Sequence, residues 1–185
     1  IVADLQQVRY LQRIVVVIGR ATKEQYLRAK SFFDNFYTPV SPIWVESPRI
    51  QKLLQMLEER GIPAGRDGKG RSCWLSYGYL LAAGDCDVIA LHDCDIVNYD
   101  RQLLARLCYP VAHPNLGFEF CKGYYARVTD RLHGRVTRLF MTPLIRALED
   151  MVPGTPFLRY LDSFRYALAG EFAMDANLAR INRIP

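Results

Sequence analysis

Two aspartates with one residue between them are the pair in this sequence best suited to chemistry. Asp93 and Asp95 come after the apolar run Val88 to Leu91, which is long enough for a buried strand and too short for a stable helix. Side chains two apart on a strand point the same way, and two carboxylates aimed at one point repel each other unless a cation lies between them. The pattern predicts a divalent-metal site. The alternative is a solvated turn in which Asp95 caps a helix.

A second candidate is a glycine-rich stretch at residues 64–71, with three glycines and three cations in eight residues. An apolar segment, 72–83, follows and is predicted to be helical. Glycines let backbone N–H groups approach an anion, and a helix N-terminus favours negative charge. The spacing is not that of a P-loop. The stretch therefore predicts an anion-binding loop, or a solvated connection with no ligand.

Two further segments carry polar groups suited to a small anionic ligand. Residues 130–138 contain three arginines, a histidine, a glycine and a threonine. Arginine forks and hydroxyls can bind a phosphate or carboxylate, although a helix start with solvated arginines is equally consistent with this composition. The stretch 166–174 is almost entirely apolar, and Glu171 is its one charged residue. A glutamate in such a setting is either paired or functional.

Alternating strand and helix patterns must position these residues. The run Ile14–Ile18 predicts a central strand buried on both faces, and Thr22 predicts the N-cap of a helix over 23–33. An extended segment, 39–46, precedes a helix with Ser47 at its N-cap and Pro48 at its first position. The sequence pattern also predicts four later elements. They are a helix over 99–109, a strand over 116–120, a helix over 137–148 and a loop over 152–157.

This alternation favours an α/β architecture, and the fold class we expect is a mixed, mostly parallel sheet flanked by helices. Ligands in such sheets collect beyond the carboxyl ends of the strands, and Asp93 and Asp95 follow one such end. The position favours the metal interpretation over a solvated turn.

Composition narrows the class of protein. The chain has 185 residues, half of them apolar, and a net charge of +5; 19 of its 24 cations are arginine, which suits phosphate and carboxylate ligands. The sequence contains no basic run of the kind that predicts nucleic-acid binding. It also contains no stretch with the pattern of a membrane span or a signal peptide. Five cysteines without a Cys-x-x-Cys pair predict reduced thiols in a cytoplasmic protein. From its ends, Ile1 and Pro185, we expect the chain to be part of a longer polypeptide.

Four motifs in a fixed order carry a family resemblance: Gly68-Lys69-Gly70, Asp93-Cys94-Asp95, Gly134-Arg135-Val136-Thr137, and Leu168-Ala169-Gly170-Glu171-Phe172. The order resembles metal-dependent glycosyltransferases of the GT-A (Rossmann-like) nucleotide-diphospho-sugar fold. More narrowly, it resembles the retaining glucosyl-3-phosphoglycerate synthases and their mannosyl relatives, over roughly residues 13–180. The resemblance implies a nucleotide-sugar-binding region at 1–128 and an acceptor-binding region of the same domain at 129–185.

The resemblance also implies a role for each matching residue on the donor side. Asp95, with Asp93 nearby, would hold Mg²⁺ or Mn²⁺ against the diphosphate of a nucleotide-sugar donor, with UDP-glucose preferred over GDP-mannose. Such a cation needs few protein carboxylates when phosphate oxygens complete its shell. Lys69 would contact donor phosphate or ribose.

On the acceptor side, Gly134, Arg135 and Thr137 would bind the phosphate or carboxylate of 3-phosphoglycerate or a similar small acceptor. Glu171 would be the catalytic group, orienting the acceptor hydroxyl or acting as a base. The resemblance implies a product that keeps the anomeric configuration of the donor. It implies no nucleic-acid or membrane partner, and a homodimer is compatible with it.

The sequence departs from the family pattern at three places, one of which is the end of the second strand, Glu46-Ser47, where an Asp-rich turn is common. The first strand usually continues into a Pro-x-x-Asn/Glu loop that contacts uridine, whereas this chain continues Gly19-Arg20-Ala21. A metal-binding histidine usually follows the Gly-Glu segment, whereas His92, His113 and His133 all precede it. Two alternatives stay open: a sugar-phosphate nucleotidyltransferase, and a regulatory module that binds phosphorylated metabolites through the arginine cluster.

Overall fold

The computed structural model describes residues 1–97, 99–124, 135–164, 166 and 169–182. Over these residues the protein is a mixed α/β structure with helices and two small sheets, and the alternating pattern predicted the α/β class. It divides into two compact units. The first comprises Ile1–Ile89, Ile96–Gln102 and Asp175–Pro185, and the second comprises Ala90–Asp95 and Leu103–Met174.

The sheet of the first unit contains two parallel strands, β1 (Ile14–Ile18) and β2 (Val40–Trp44). Their register pairs Ile14 with Val40 and Ile18 with Trp44. The parallel pairing agrees with the expected βαβ arrangement. Every residue of β1 is only half-buried, so the prediction of a strand buried on both faces is wrong. The β-branched run specifies a strand, but the number of neighbouring layers depends on the rest of the fold.

Helix starts in the first unit follow their capping residues. Helix α1 (Val2–Leu5) is short, and α2 (Lys23–Phe33) begins after Thr22, whose side chain forms a capping box with Gln25. Helix α3 (Pro48–Glu59) begins after Ser47, whose hydroxyl accepts a hydrogen bond from the N–H of Ile50. Both predicted N-caps are confirmed.

Helix α4 (Lys69–Ala83) begins three residues earlier than the apolar pattern predicts. Its N-cap is Gly68, and it ends at Gly84, which adopts the left-handed conformation with φ 70°. The helix packs on a core made of Val45, Leu54, Ala64 and Leu75, with Val17, Ile50 and Trp74 partly buried around it. Lys69 therefore lies in the first turn of a helix and not in a loop.

The second sheet has the order β3 (Val88–Leu91), β5 (Phe172–Asp175), β4 (Phe120–Lys122). β4 and β5 are antiparallel, with Phe120 opposite Met174. The N–H of Ala176, just after β5, donates to the carbonyl of Asp87, just before β3 (2.8 Å). Because the end of β5 meets the start of β3, these two neighbouring strands also run in opposite directions.

This sheet corrects the expectation of a mostly parallel arrangement. Parallel pairing holds for β1 and β2, but β5 runs against its neighbour β4. Short apolar runs specify strands without specifying their direction. The strand predicted over 116–120 begins only at Phe120, because Gly117 upstream adopts a left-handed conformation (φ 65°) that interrupts an extended chain.

The remaining helices differ in detail from the predicted ones. Helix α5 (Arg101–Ala112) extends past the predicted end at residue 109, and α6 (Thr142–Met151) is preceded by a π-helical turn, Thr137–Met141. Helix α7 (Pro156–Ser163) begins inside the predicted loop, and α8 (Ala176–Ile181) follows β5. In the part of the chain that the structure describes, none of the helices is both long and apolar enough to cross a membrane.

Candidate active site

The carboxylate pair follows β3, which ends at Leu91. His92 and Asp93 are partly buried, whereas Cys94 and Asp95 form an exposed turn. The strand stops two residues before Asp93, so the side-chain alternation of a strand does not extend to Asp95. The two carboxylates are close in sequence at a strand end, as predicted, but a turn and not a strand sets their relative directions.

Glu171 lies immediately before β5 and is 1 % exposed. The N–H of Gly123, just after β4, donates to the backbone carbonyl of Glu171 (2.8 Å). A Cβ atom at Gly123 would lie 3.1 Å from that carbonyl oxygen and 3.2 Å from the Cβ of Glu171. The absence of a side chain at Gly123 thus allows the backbone to approach the buried glutamate closely.

The direction of the strands brings these groups to one edge of the sheet. β3 and β4 both run opposite to β5, so their carboxyl ends lie where β5 begins. This edge therefore contains the segment His92–Asp95, Gly123 and Glu171. All of these residues belong to the second unit. The sequence predicted Asp93, Asp95 and Glu171 as site residues without indicating how the chain would bring them together.

His92 is a residue of this edge to which the sequence analysis assigned no role. Burial lowers its pKa, and the nearby carboxylates of Glu171 and Asp93 oppose that shift. The balance favours a neutral imidazole beside Glu171 at physiological pH. The sequence signal that could have identified His92 as a site residue is its position directly between a buried strand and the aspartate pair.

The structure describes two of the three residues predicted to bind the acceptor. Arg135 is exposed, and Thr137 begins the π-helical turn. The hydroxyl of Thr137 is buried and has no hydrogen-bond partner among the described residues. No hydrogen bond or ion pair in the described ranges joins Arg135 or Thr137 to Asp95. Gly134 lies outside the described residues.

Lys69, predicted to bind the donor, belongs to the first unit and is the first residue of α4. The preceding residues are connected to the helix and to the loop after β1 by ion pairs. Asp67 accepts from Arg71 Nη2 (2.7 Å) and from Arg20 Nε (3.3 Å). Hydrogen bonds from Arg71 and then Arg20 lower the pKa of Asp67.

The loop after β1 is held by Glu46. The Glu46 carboxylate accepts hydrogen bonds from the N–H groups of Arg20 and Ala21. Burial raises the pKa of Glu46, but the bond from the Arg20 N–H and further backbone N–H bonds outweigh it, and the pKa is lowered. The sequence showed only that this loop departs from the family pattern.

The side chains at this edge can be compared with the ligands that a divalent metal ion requires. Within the described ranges, no group of three or more His, Cys, Asp and Glu side chains is arranged to hold a metal ion. Mg²⁺ commonly uses one or two carboxylates and completes its octahedron with water and substrate phosphate. Asp93 and the exposed Asp95 fit a cation of that kind, and they do not form a cage made of protein ligands alone.

Comparison with known proteins supports the resemblance seen in the sequence. No family model matches the chain. A glucosyl-3-phosphoglycerate synthase of Persephonella marina is 55 % identical over 184 residues, which cover 100 % of this chain and 46 % of the relative. A second protein of that name, from Methanococcoides burtonii, is 39 % identical over 189 residues, again 100 % of this chain and 46 % of the relative.

The chain thus spans about half the length of the curated relatives it matches. The identity extends over the whole chain and includes both units. The family resemblance is confirmed, and the chain is a homologue of a segment of the glucosyl-3-phosphoglycerate synthases.

Proposed function

We propose that the protein containing this chain transfers a glucosyl group from a nucleotide-diphospho-sugar, UDP-glucose, to 3-phosphoglycerate. The observation that carries the proposal is the shared sheet edge of the Asp93-Cys94-Asp95 turn and the buried Glu171. The names of the two relatives support transfer of a glucosyl group and 3-phosphoglycerate as its acceptor. A GT-A fold in the complete domain is part of this proposal.

On the donor side, Asp95 and Asp93 would hold Mg²⁺ or Mn²⁺ against the donor diphosphate. The ion, when bound, neutralises the charge that develops on the departing nucleoside diphosphate. Lys69 would contact a donor phosphate from the first turn of α4, where the helix dipole also favours an anion. Residues 1–128 would supply most donor contacts, and residues 129–185 most acceptor contacts.

On the acceptor side, Arg135 would bind the phosphate or carboxylate through its guanidinium fork, with help from Gly134 and Thr137. The buried hydroxyl of Thr137 supports this role, because an unpartnered buried hydroxyl is costly and a ligand oxygen or N–H would satisfy it. Glu171 would orient the acceptor hydroxyl, and His92, whose pKa is lowered by burial, lies on the same sheet edge.

The transfer itself exchanges one bond for another. The bond between C1 of glucose and the diphosphate oxygen breaks, and a bond forms between C1 and the single free hydroxyl of 3-phosphoglycerate. The hydroxyl proton leaves, and the oxygen of the departing diphosphate lies on the same face of the sugar and can accept it. This front-face route retains the anomeric configuration.

The decisive experiment is a donor and acceptor screen in the presence of Mg²⁺. UDP-glucose or GDP-mannose is combined with 3-phosphoglycerate, and release of nucleoside diphosphate and formation of the glycoside are measured. We expect turnover with UDP-glucose and 3-phosphoglycerate that a chelator abolishes. If none of the donor–acceptor pairs gives turnover, the proposal is contradicted.

The screen includes a matched pair of aspartate variants. Asp95→Asn removes one carboxylate without changing side-chain shape and should lower kcat by roughly 10²-fold or more, because the metal loses a direct ligand. Asp162→Asn, on the exposed end of α7, is the control and should leave turnover unchanged. Full activity of Asp95→Asn would exclude the metal role of this residue.

A further inference from the structure

The glycine-rich segment before α4 is attached to the first unit at one buried position. Ala64 is buried in the core with Val45, Leu54 and Leu75. Beyond it the chain is exposed as far as Gly70, and Gly65 and Gly68 both have positive φ (70° and 154°). Two glycines with this freedom leave the backbone between Ala64 and α4 weakly specified by its own conformational preferences.

Asp67, between these glycines, connects the segment to two other elements. Its Oδ1 accepts from Arg71 Nη2 at 2.7 Å, and its Oδ2 accepts from Arg20 Nε at 3.3 Å. Arg71 lies in the first turn of α4 and is only 18 % exposed, so its position is set by packing. We call these two ion pairs of one carboxylate the Asp67 bridge.

The far end of the Asp67 bridge is also fixed. Arg20 is the one non-glycine residue with a positive φ (54°) in the described part of the chain, and the carboxylate of Glu46 binds its N–H and that of Ala21. Trp44 Nε1 donates to the carbonyl of Ala21 (2.9 Å), and the Trp44 ring stacks on Tyr26. These contacts hold the backbone of the loop after β1 in place, and the Arg20 side chain, which is 82 % exposed, extends from it to Asp67.

We propose that Asp67 is a positioning residue, which fixes the segment Gly65–Gly68 and thereby sets where Lys69 and the first turn of α4 present their positive charge to the donor. This inference rests on the proposed function of Lys69 as a donor ligand. Gly68 has no side chain to cap the helix, and the two ion pairs of Asp67 connect this helix start to the loop after β1.

Exposed ion pairs contribute little to global stability, and Asp67 is 46 % exposed. Their effect on the order of a short glycine-rich segment is larger, because few other contacts restrain it. A structural role alone would change the melting temperature or all kinetic constants together. A positioning role for Lys69 should change the donor KM selectively.

The kinetic test compares Asp67→Asn, Asp67→Glu and Asp34→Asn, the last an exposed aspartate after α2 as the control. Asp67→Asn should raise the donor KM roughly tenfold, the loss of about two charge-assisted hydrogen bonds at an exposed site, while the acceptor KM stays within about twofold. Asp67→Glu keeps the charge and should recover most of the affinity. An unchanged donor KM, or equal rises in both KM values, would overturn the inference.

A second measurement does not depend on activity. Hydrogen exchange of the wild-type protein and Asp67→Asn, without substrates, should show faster exchange in the variant at the first hydrogen-bonded amides of α4, beginning with the Ser72 N–H that donates to the Gly68 carbonyl, and unchanged protection in β1. Unchanged exchange at this helix start would refute the Asp67 bridge whatever the kinetics. If the helix start loses protection in the variant but the wild-type protein transfers no sugar, the proposed function is refuted, and with it the donor role of the bridge.

Discussion

Gly123 determines how closely β4 approaches the buried carboxylate. Its N–H is hydrogen-bonded to the carbonyl of Glu171, and an added Cβ would meet two atoms of Glu171 at 3.1 and 3.2 Å and Leu107 Cδ2 at 3.6 Å. The first two contacts are shorter than packed carbon and oxygen atoms normally allow. Either the strands separate slightly or Glu171 moves, and both displace a group at the candidate site.

Substitution of this glycine should affect both turnover and folding. We expect Gly123→Ala to lower kcat by roughly 10-fold or more, since small displacements of catalytic groups are costly, and to destabilise the fold by about 1–3 kcal/mol through overpacking. Steady-state kinetics and denaturant unfolding measure the two effects. Gly78→Ala is the control: nothing lies within 4 Å of its Cβ in α4, so the fold should gain roughly 0.5–1 kcal/mol with unchanged kcat.

The proposed role of Arg135 in binding the acceptor can be tested by removing its side chain. Arg135→Ala should raise the KM for 3-phosphoglycerate by roughly 10- to 100-fold, because a charge-assisted fork to an anion is worth about 1.5–3 kcal/mol. The donor KM should change little. Arg138→Ala, in the π-helical turn that follows, tests whether the effect is specific to position 135 or follows from loss of any nearby positive charge. Equal effects on both substrates would contradict the assignment.

At the scale of the elements, capping residues determine where the helices of the first unit begin. Thr22 and Ser47 each accept a hydrogen bond from a backbone N–H in the first turn. These starts could be predicted because the signal is local: a side chain satisfies a donor three residues away. The start of α4 has no such signal, and its prediction was three residues late.

Removing either N-cap side chain should lower the free energy of unfolding by a measurable amount. Thr22→Ala and Ser47→Ala should each lower the free energy of unfolding by about 1 kcal/mol, measured by chemical denaturation. Ser31→Ala, an exposed position within α2, should instead be neutral or slightly stabilising, because alanine has the higher helix propensity. A loss at Ser31 equal to that at Thr22 would show that the cap hydrogen bond is not the cause.

At the scale of the whole molecule, the chain carries a net charge of +5, largely from arginine. Both proposed substrates are anions, so the overall field should assist their encounter with the protein. Raising the salt concentration from about 50 to 300 mM shortens the screening length and should lower kcat/KM by a few-fold, with kcat nearly constant. Sucrose at matched osmolality is the control. A salt effect confined to kcat would contradict this explanation.

The sequence alone determined the features that depend on local patterns and on motif order. It predicted the α/β class, two N-caps, the family, and Asp93, Asp95 and Glu171 as candidate site residues. Capping, hydrophobic period and short motifs involve residues close together in the chain, so they can be read without coordinates. The roles of these residues, the metal and the domain assignment stay predictions.

Only the tertiary structure decided which distant residues meet. The antiparallel course of β5 brings Glu171 to the edge where β3 ends, although some eighty residues separate them. It also gives His92 its carboxylate neighbours, Gly123 its close approach and Asp67 its two arginines. Strand direction and side-chain proximity follow from how the chain satisfies its backbone hydrogen bonds and buries its core as a whole, and no local pattern encodes that outcome.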